Sequence, residues 1–274
     1  MAFVWLVSYP KSGNTWLRVL LSNYRREALG SANLNEPLIG TQSHLSRHGF
    51  DETIGIPSSD LSDKELVHYR HQLHTHFIEK YPGTSFTKVH ETYDGRFNAP
   101  PVFPSDDRCK VIYLVRNPLD IVPSFAHHEN CSIDKMIKHM ADEDAIVGHG
   151  ETAFPEHIGS WGRHVCGWAE QDALPVLTIR YEDMLTDPFD AFSRILGFSE
   201  LSLDREKLEK AIGSSRFDAL QAQERETGFA ERPLVSTHFF RNGRSGAWEG
   251  ILSDQQRDQI LSDHRSTMQL FGYA

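Results

Sequence analysis

The chain has no long hydrophobic run. Its longest apolar stretches, such as Val19-Leu20-Leu21 and residues 111–115, fall far short of the ~20 residues a transmembrane helix needs, so no membrane span or membrane partner is expected. The first residues carry neither a basic stretch nor a small-residue cleavage site, so no secretory signal is read and a cytoplasmic location is expected. Cysteine is scarce. Cys109, Cys131 and Cys166 are odd in number, far apart and outside any C-x-x-C spacing, which argues against a disulfide framework and fits a reducing compartment. Basic excess is also missing: 28 Lys+Arg against 38 Asp+Glu give a net charge of −10. That balance argues against a nucleic-acid polymer or an anionic membrane as partner. Internal repeats, low-complexity tracts and Pro/Gly/Ser-rich linkers are absent, and a single domain over 1–274 is expected.

What is present reads as a folded α/β protein. Short apolar or β-branched runs at 3–8, 85–90, 110–115 and 176–180 alternate with amphipathic segments, the pattern of strands and crossover helices around a mostly parallel sheet. The run Val111-Ile112-Tyr113-Leu114-Val115 is continuous, which suits a central strand covered on both faces. Ser62-Asp63-Lys64-Glu65 reads as a capping box, followed by the stripe Leu66, Tyr69, Leu73 and Phe77. A second stripe is Ile158, Trp161, Val165 and Trp168. A third is Phe189, Phe192, Ile195 and Leu196, with Gly197 expected to close it. The last helix opens at Ser253-x-x-Gln256 and turns Ile260, Leu261, His264 and Met268 to one side. All of these stripes are expected to be core. Irregular stretches at 30–62 and 221–250 have the length of lids or binding segments.

The strongest chemical signal is Ser8-Tyr9-Pro10-Lys11-Ser12-Gly13-Asn14-Thr15-Trp16-Leu17, between the first strand and an apolar-faced helix. A small-residue turn entering a helix presents successive backbone N–H groups and the positive end of the dipole, which together bind phosphate-like anions. Lys11 adds a charge, and Ser12 and Thr15 add hydroxyls. The order differs from the Walker pattern, because here the lysine precedes the glycine. The plainer alternative is a strand-to-helix turn capped by Ser12 or Asn14.

The segment Tyr9-Pro10-Lys11-Ser12-Gly13-Asn14-Thr15-Trp16 resembles the 5′-phosphosulfate loop of sulfotransferases that use 3′-phosphoadenosine 5′-phosphosulfate (PAPS). Arg116-Asn117-Pro118-Leu119-Asp120-Ile121-Val122-Pro123-Ser124 resembles the family's 3′-phosphate segment, with Arg116 and Ser124 in the matching places. Thr87-Lys88-Val89-His90 is similar to its Lys-Thr-His segment, and Tyr181-Glu182-Asp183-Met184 to its Tyr-Glu-Asp-Met segment. Ser215-Arg216-Phe217 is similar to its adenine-contacting stretch, and Phe239-Phe240-Arg241-Asn242-Gly243-x-x-Gly246-x-Trp248 to its Arg-Lys-Gly loop. The blocks run in the family's order from about residue 3 to 250, and the Arg-Asn-Pro block also resembles bacterial enzymes that sulfate secondary metabolites.

The resemblance implies a three-layer α/β sandwich of nucleotide-kinase-like type, with a central parallel sheet. It implies transfer of a sulfuryl group from PAPS to a hydroxyl, phenol or amine of a small-molecule acceptor, releasing adenosine 3′,5′-bisphosphate (PAP) without a metal. His90 is then the general base, Lys11 the stabiliser of the bridging oxygen, and Lys88 the partner of the 5′-phosphate. Ser12, Gly13, Asn14, Thr15, Trp16, Arg116, Ser124, Tyr181, Ser215, Phe217, Phe239, Arg241, Asn242 and Gly243 are the implied cofactor contacts.

Three departures stand out. Asn242 sits where the family usually has lysine; Arg244 is an alternative cation, and spacing does not decide it. Asn14 replaces a threonine but keeps a donor amide. Pro123, inside the expected helix, is expected to kink or break it. His68, His71, His74 and His76 share a helix at a spacing metal ligands use, although solvated or packed side chains account for them as well. His127 and His128, just past Ser124, are candidates to touch the acceptor. Two rivals share much of this pattern: a P-loop kinase-like phosphotransferase and a non-catalytic nucleotide sensor. The absent Walker order argues against the first, and the retention of Lys11, Lys88 and His90 against the second. The acceptor itself is not legible; 30–62, 92–105, 130–155 and 221–250 are its candidate walls, and a homodimer stays open.

Overall fold

The four strands expected from apolar runs pair side by side in one parallel sheet. The computed structural model describes residues 2–26, 33–41, 45–80, 83–93, 102–148, 151–232 and 238–274. In chain order its elements are β1 (Phe3–Ser8), α1 (Asn14–Arg25), α2 (Arg47–Ile54), α3 (Asp63–Lys80), β2 (Ser85–Val89), β3 (Cys109–Val115), α4 (Pro118–His128) and α5 (Ile133–Ala141). There follow β4 (Ile146–Val147), β5 (Glu156–His157), α6 (Trp161–Glu170), β6 (Val176–Arg180), α7 (Tyr181–Thr186), α8 (Pro188–Phe198), α9 (Arg205–Ser214), α10 (Phe217–Thr227) and α11 (Asp254–Leu270). The main sheet has the order β2-β1-β3-β6 with every pairing parallel; β4 and β5 form a separate antiparallel pair.

Strand periodicity of two divides the core into two layers. From β1 and β3, Trp5, Val7, Val111, Tyr113 and Val115 face a core completed by Phe125, Met136, Trp161, Val165, Trp168 and Met268. Val4, Leu6, Ile112 and Leu114 face the opposite core, against Leu17, Leu20, Leu21, Phe192, Ile195 and Leu196. The sheet is therefore the middle layer of three. The continuous run in β3 reflects burial on both sides.

The helix signals fare differently from one another. The box at Ser253 forms fully, with both reciprocal bonds present. At Ser62 only half of it forms: Glu65 accepts the Ser62 N–H at 2.9 Å, but the serine hydroxyl donates to the same carboxylate at 2.6 Å. The third stripe does not end at Gly197. Helix α8 runs on to Phe198, and the left-handed residue is Glu200 (φ 58), closed by Leu201 N–H to Leu196 O at 2.9 Å. Lys110, donating to Glu200 at 2.8 Å, holds that side chain in place. Helix α4 does not break at Pro123 and continues to His128. Its neighbours Ile121, Val122 and Phe125 are buried, so packing holds a turn that lacks one amide hydrogen. On α3, His74 is a core residue: Nδ1 donates to Val102 O at 2.8 Å and the ring stacks on Phe103. No group of His, Cys, Asp or Glu arranged to hold a metal occurs among the described residues. None of the described helices is long and apolar enough to cross a membrane.

Candidate active site

Register sets the site. Val7 lies beside Val89, Ser8 beside Leu114 and Val115 beside Arg180, so all four strands end at one edge of the sheet. Immediately past those ends stand Lys11, His90, Arg116 and Tyr181. This is the edge where open α/β sheets bind ligands. All four residues line one cleft of about 1270 Å³, together with Gly13, Asn14, Thr15, Trp16, Lys88, Ser124, Phe217, Phe239, Arg241, Asn242 and Gly243.

The loop between β1 and α1 is shaped by two left-handed residues, Lys11 (φ 68) and Gly13 (φ 101). A Cβ at Gly13 would meet the Tyr181 ring at 2.6 Å, so glycine is required there both for its φ and for the close approach. Gly13 caps α1 without any side-chain bond, leaving the first amides of the helix for another acceptor. The buried Ser12 Oγ is without a hydrogen-bond partner among the described residues. Orphaned donors around a helix start fit an anion. Asn14 differs from expectation: its amide nitrogen donates to Leu6 O at 2.8 Å and Ser8 Oγ at 3.3 Å, so the side chain braces β1 and only its backbone N–H is left for an anion.

Lys11 is crowded by like charge. Burial, then the neighbouring Lys88 and Arg116, lower its pKa from 10.5 to about 7. Its Nζ lies 3.3 Å from His128 Nδ1 and 4.3 Å from the centre of the Phe239 ring. His128 itself is held neutral, lowered to about 3 by burial and by Lys11, and so accepts the ammonium proton in that bond.

His90 is oriented by the backbone. Its Nδ1 lies 2.7 Å from Ser8 O, an atom that can only accept, so Nδ1 carries the proton. Nε2 is left with a lone pair and no partner among the described residues. Burial, and then Lys88, keep the imidazole well below the ordinary 6.5 and therefore neutral at pH 7. Glu156 Oε1 accepts the His90 N–H at 2.6 Å, and His164 Nε2 donates to the His90 carbonyl at 2.9 Å.

Arg116 donates to Lys11 O at 2.9 Å and to Arg244 O at 3.3 Å, and packs 4.2 Å from the centre of the Tyr181 ring. Its buried Nε has no partner among the described residues, so the guanidinium keeps a donor for a ligand. The Asn242 segment is held by Asp120, whose two oxygens accept Gly246 N–H at 2.9 Å and Trp248 N–H at 3.1 Å. A Cβ at Gly243 (φ 55) would overlap the Phe217 ring, so the loop lies directly on that ring. Ser12 and Ser215 do not line the cleft. Ser215 lies behind it, accepting Trp16 Nε1 on its carbonyl at 2.8 Å and Asn23 Nδ2 on its hydroxyl at 2.8 Å.

Among the cleft residues that escaped the sequence reading are Arg18, Glu231 and Glu156. Arg18, 1% exposed, grips Glu231 with two bonds of 2.8 Å and also donates to Ile39 O at 2.8 Å and Thr41 Oγ1 at 2.6 Å. An arginine on the apolar side of α1 was the available signal for a buried partner. Parts of the candidate walls 30–62, 92–105, 130–155 and 221–250 lie outside the described residues.

A parallel sheet whose strand ends gather unpaired anion donors, two lysines and a neutral histidine defines a class: a protein that binds a phosphate-bearing nucleotide and can move a proton beside it. The chain belongs to the sulfotransferase domain family, which it matches over residues 3–272. It is thus an enzyme of sulfuryl transfer. It is 24% identical to mouse sulfotransferase 1B1 over 96% of this chain and 81% of that protein. With flavonol 3-sulfotransferase of Flaveria bidentis it shares 25% identity, over 94% of this chain and 78% of that one. Among solved structures it resembles retinol dehydratase in a complex with retinol and PAP, with TM-score 0.63, 19% identity, and coverage of 97% of this chain and 81% of that one. Mouse sulfotransferase SULT7A1 complexed with PAP gives TM-score 0.62 at 19% identity, over 97% of this chain and 84% of that one.

Proposed function

We propose that the cleft takes PAPS along the edge of the sheet and that His90 deprotonates a small-molecule acceptor at its inner end. PAPS supplies an activated sulfuryl group and leaves as PAP. The amides opening α1, with Thr15 and Lys11, hold the 5′ end of the donor. Lys88 adds charge there. Arg116, Ser124, Arg241 and the amides of 242–243 hold the 3′-phosphate; Trp16, Tyr181, Phe217 and Phe239 supply the flat apolar contacts for the base. The fit rests on donors that lack partners at the start of α1: its first amides, which no side chain caps, and Arg116 Nε, beside the Lys11 carbonyl that the guanidinium holds.

The observation that carries the reading is the tautomer of His90. Its Nδ1–H is engaged by Ser8 O, so Nε2 is the atom that receives the acceptor proton. The Lys11 ammonium then faces the oxygen on which negative charge develops, where a preorganised cation stabilises the transition state. Small molecules are the acceptor class this cleft suits, and relatives named for flavonol and retinol point the same way. The test is His90→Ala. PAP binding, measured by calorimetry, is expected within threefold of wild type, and sulfuryl transfer is expected to fall by roughly 10²–10⁴. Near-wild-type turnover would remove His90 as the base.

A further inference from the structure

The buried carboxylates differ in how fully their oxygens are engaged. Glu91 holds Arg70 with both oxygens, at 3.1 and 2.5 Å. Asp120 takes one backbone amide on each oxygen, and Glu224 takes Phe239 N–H at 2.7 Å and Phe240 N–H at 2.9 Å. Glu156 breaks the pattern. It is 8% exposed and lines the cleft, yet Oε1 alone is bonded, to His90 N–H; Oε2 has no partner among the described residues. Oε2 is not among the fully buried atoms without a partner, so it opens onto the cleft, and a neutral amide would serve equally well to accept the single N–H on Oε1. Burial raises its pKa above the ordinary carboxylate range while Lys88 and Arg70 oppose that rise, as befits a group surrounded by charge rather than solvated.

A free oxygen on the residue that accepts the main-chain N–H of His90, and that lines the same cleft, is placed to take a donor from the acceptor. We propose that Glu156 Oε2 receives a second hydroxyl of the acceptor, next to the reacting one, so that the enzyme selects vicinal diols or catechol-like phenols over isolated hydroxyls. A hydroxyl suits the site better than an ammonium, because Lys11, Lys88 and Arg18 line the same cleft. The inference rests on the sulfuryl-transfer reading with His90 as base.

The test uses matched pairs: catechol against 2-methoxyphenol, and cis-cyclohexane-1,2-diol against 2-methoxycyclohexanol, with PAPS as donor. Wild-type enzyme is expected to favour the diol of each pair by roughly tenfold or more in kcat/KM, the size of one hydrogen bond to a charged group. Glu156→Gln, which keeps an oxygen for His90 N–H, is expected to bring the ratio to about one, since its amide can donate to a methoxy oxygen. Equal kcat/KM for both members in the wild type overturns the inference whatever the variant does. So does a ratio that survives while both rates fall together, which would make Glu156 a positioning residue for His90 alone. Turnover of neither pair by a protein that binds PAP counts against the diol class as well. Absence of PAP binding would instead remove the donor reading beneath it.

Discussion

Past the ends of β1 and β3, Lys11 and Arg116 are fixed by main-chain geometry: two left-handed residues, a helix start and a guanidinium bonded to the Lys11 carbonyl. The opposite wall, residues 217–232 and 238–248, has no strand to lean on among the described residues. It is hung from side chains. Glu224 accepts the amides of Phe239 and Phe240, Asp120 those of Gly246 and Trp248, and Arg18 grips Glu231. Each carboxylate replaces the sheet partner that the wall's backbone lacks. The sheet edge is therefore part of the fold, while the wall is tied to itself by Glu224 and to the rest by Asp120, Arg18 and the packing of Leu220, Phe229 and Phe240 with Val19.

The sharpest way to break this comparison uses one glycine from each region. Gly13→Ala places a methyl 2.6 Å from the Tyr181 ring at φ 101, in a loop continuous with the central strand. It is expected to lower PAP affinity by about 100-fold and to cost roughly 1–3 kcal/mol of stability through backbone strain. Gly243→Ala, also at a left-handed φ of 55, forces the Phe217 ring aside in the hung wall, so affinity should fall roughly tenfold with a stability cost of only about 1 kcal/mol. Calorimetry and thermal melts on both variants decide the matter. A Gly243→Ala protein that melts as early as Gly13→Ala would show that the wall is as integral as the sheet edge.

The same difference explains what was legible in sequence. Strand runs announce themselves by apolar burial, and the residues that follow them, Lys11, His90, Arg116 and Tyr181, inherit their position from register. Local order was enough to mark Lys11, in its small-residue turn, while His90, Arg116 and Tyr181 were picked out by the family resemblance. Arg18, Glu156 and Glu231 were missed because their roles arise from pairings across 213 residues for Glu231 and Arg18 and 66 for Glu156 and His90, which no local pattern records. Asn14 shows the converse. Its amide was expected to face an anion, and β1, only eight residues back, took it instead. Gly197 was read as a helix end, but tertiary contacts carried α8 one residue beyond it.

A smaller effect separates the charges on the sheet edge from those on the wall. Free enzyme holds Lys11 at about 7, so kcat/KM for the donor should decline above pH 7 as the ammonium is lost. On the acid side the decline comes from protonation of His90 and falls well below 6.5. A bound anion favours the ammonium, so the alkaline limb of kcat, which reports the complex, should lie at higher pH than that of kcat/KM. Lys11→Arg keeps the charge at every accessible pH and should abolish the alkaline limb while His90's acid limb stays. Survival of the alkaline limb in Lys11→Arg would assign it to another group, with Lys88 next in line because burial lowers it too.

The smallest expected effect concerns the wall's attachment to α1. Burial alone would raise the Glu231 pKa, but hydrogen bonds and charge from Arg18 outweigh it and hold the carboxyl below the ordinary 4.5. A carboxylate with a depressed folded-state pKa stabilises the protein above its unfolded value, and that contribution is lost as pH falls through the folded one. Glu231→Gln should therefore cost roughly 1–2 kcal/mol at pH 7, since Arg18 keeps Ile39 O and Thr41 Oγ1 but loses a charged partner. Urea melts of the two proteins should converge as the pH falls through the folded-state value, which lies below 4.5. A gap that persists unchanged into acid would mean that the pair acts through shape alone, and that the wall is held by its backbone amides on Glu224 and Asp120 rather than by Arg18.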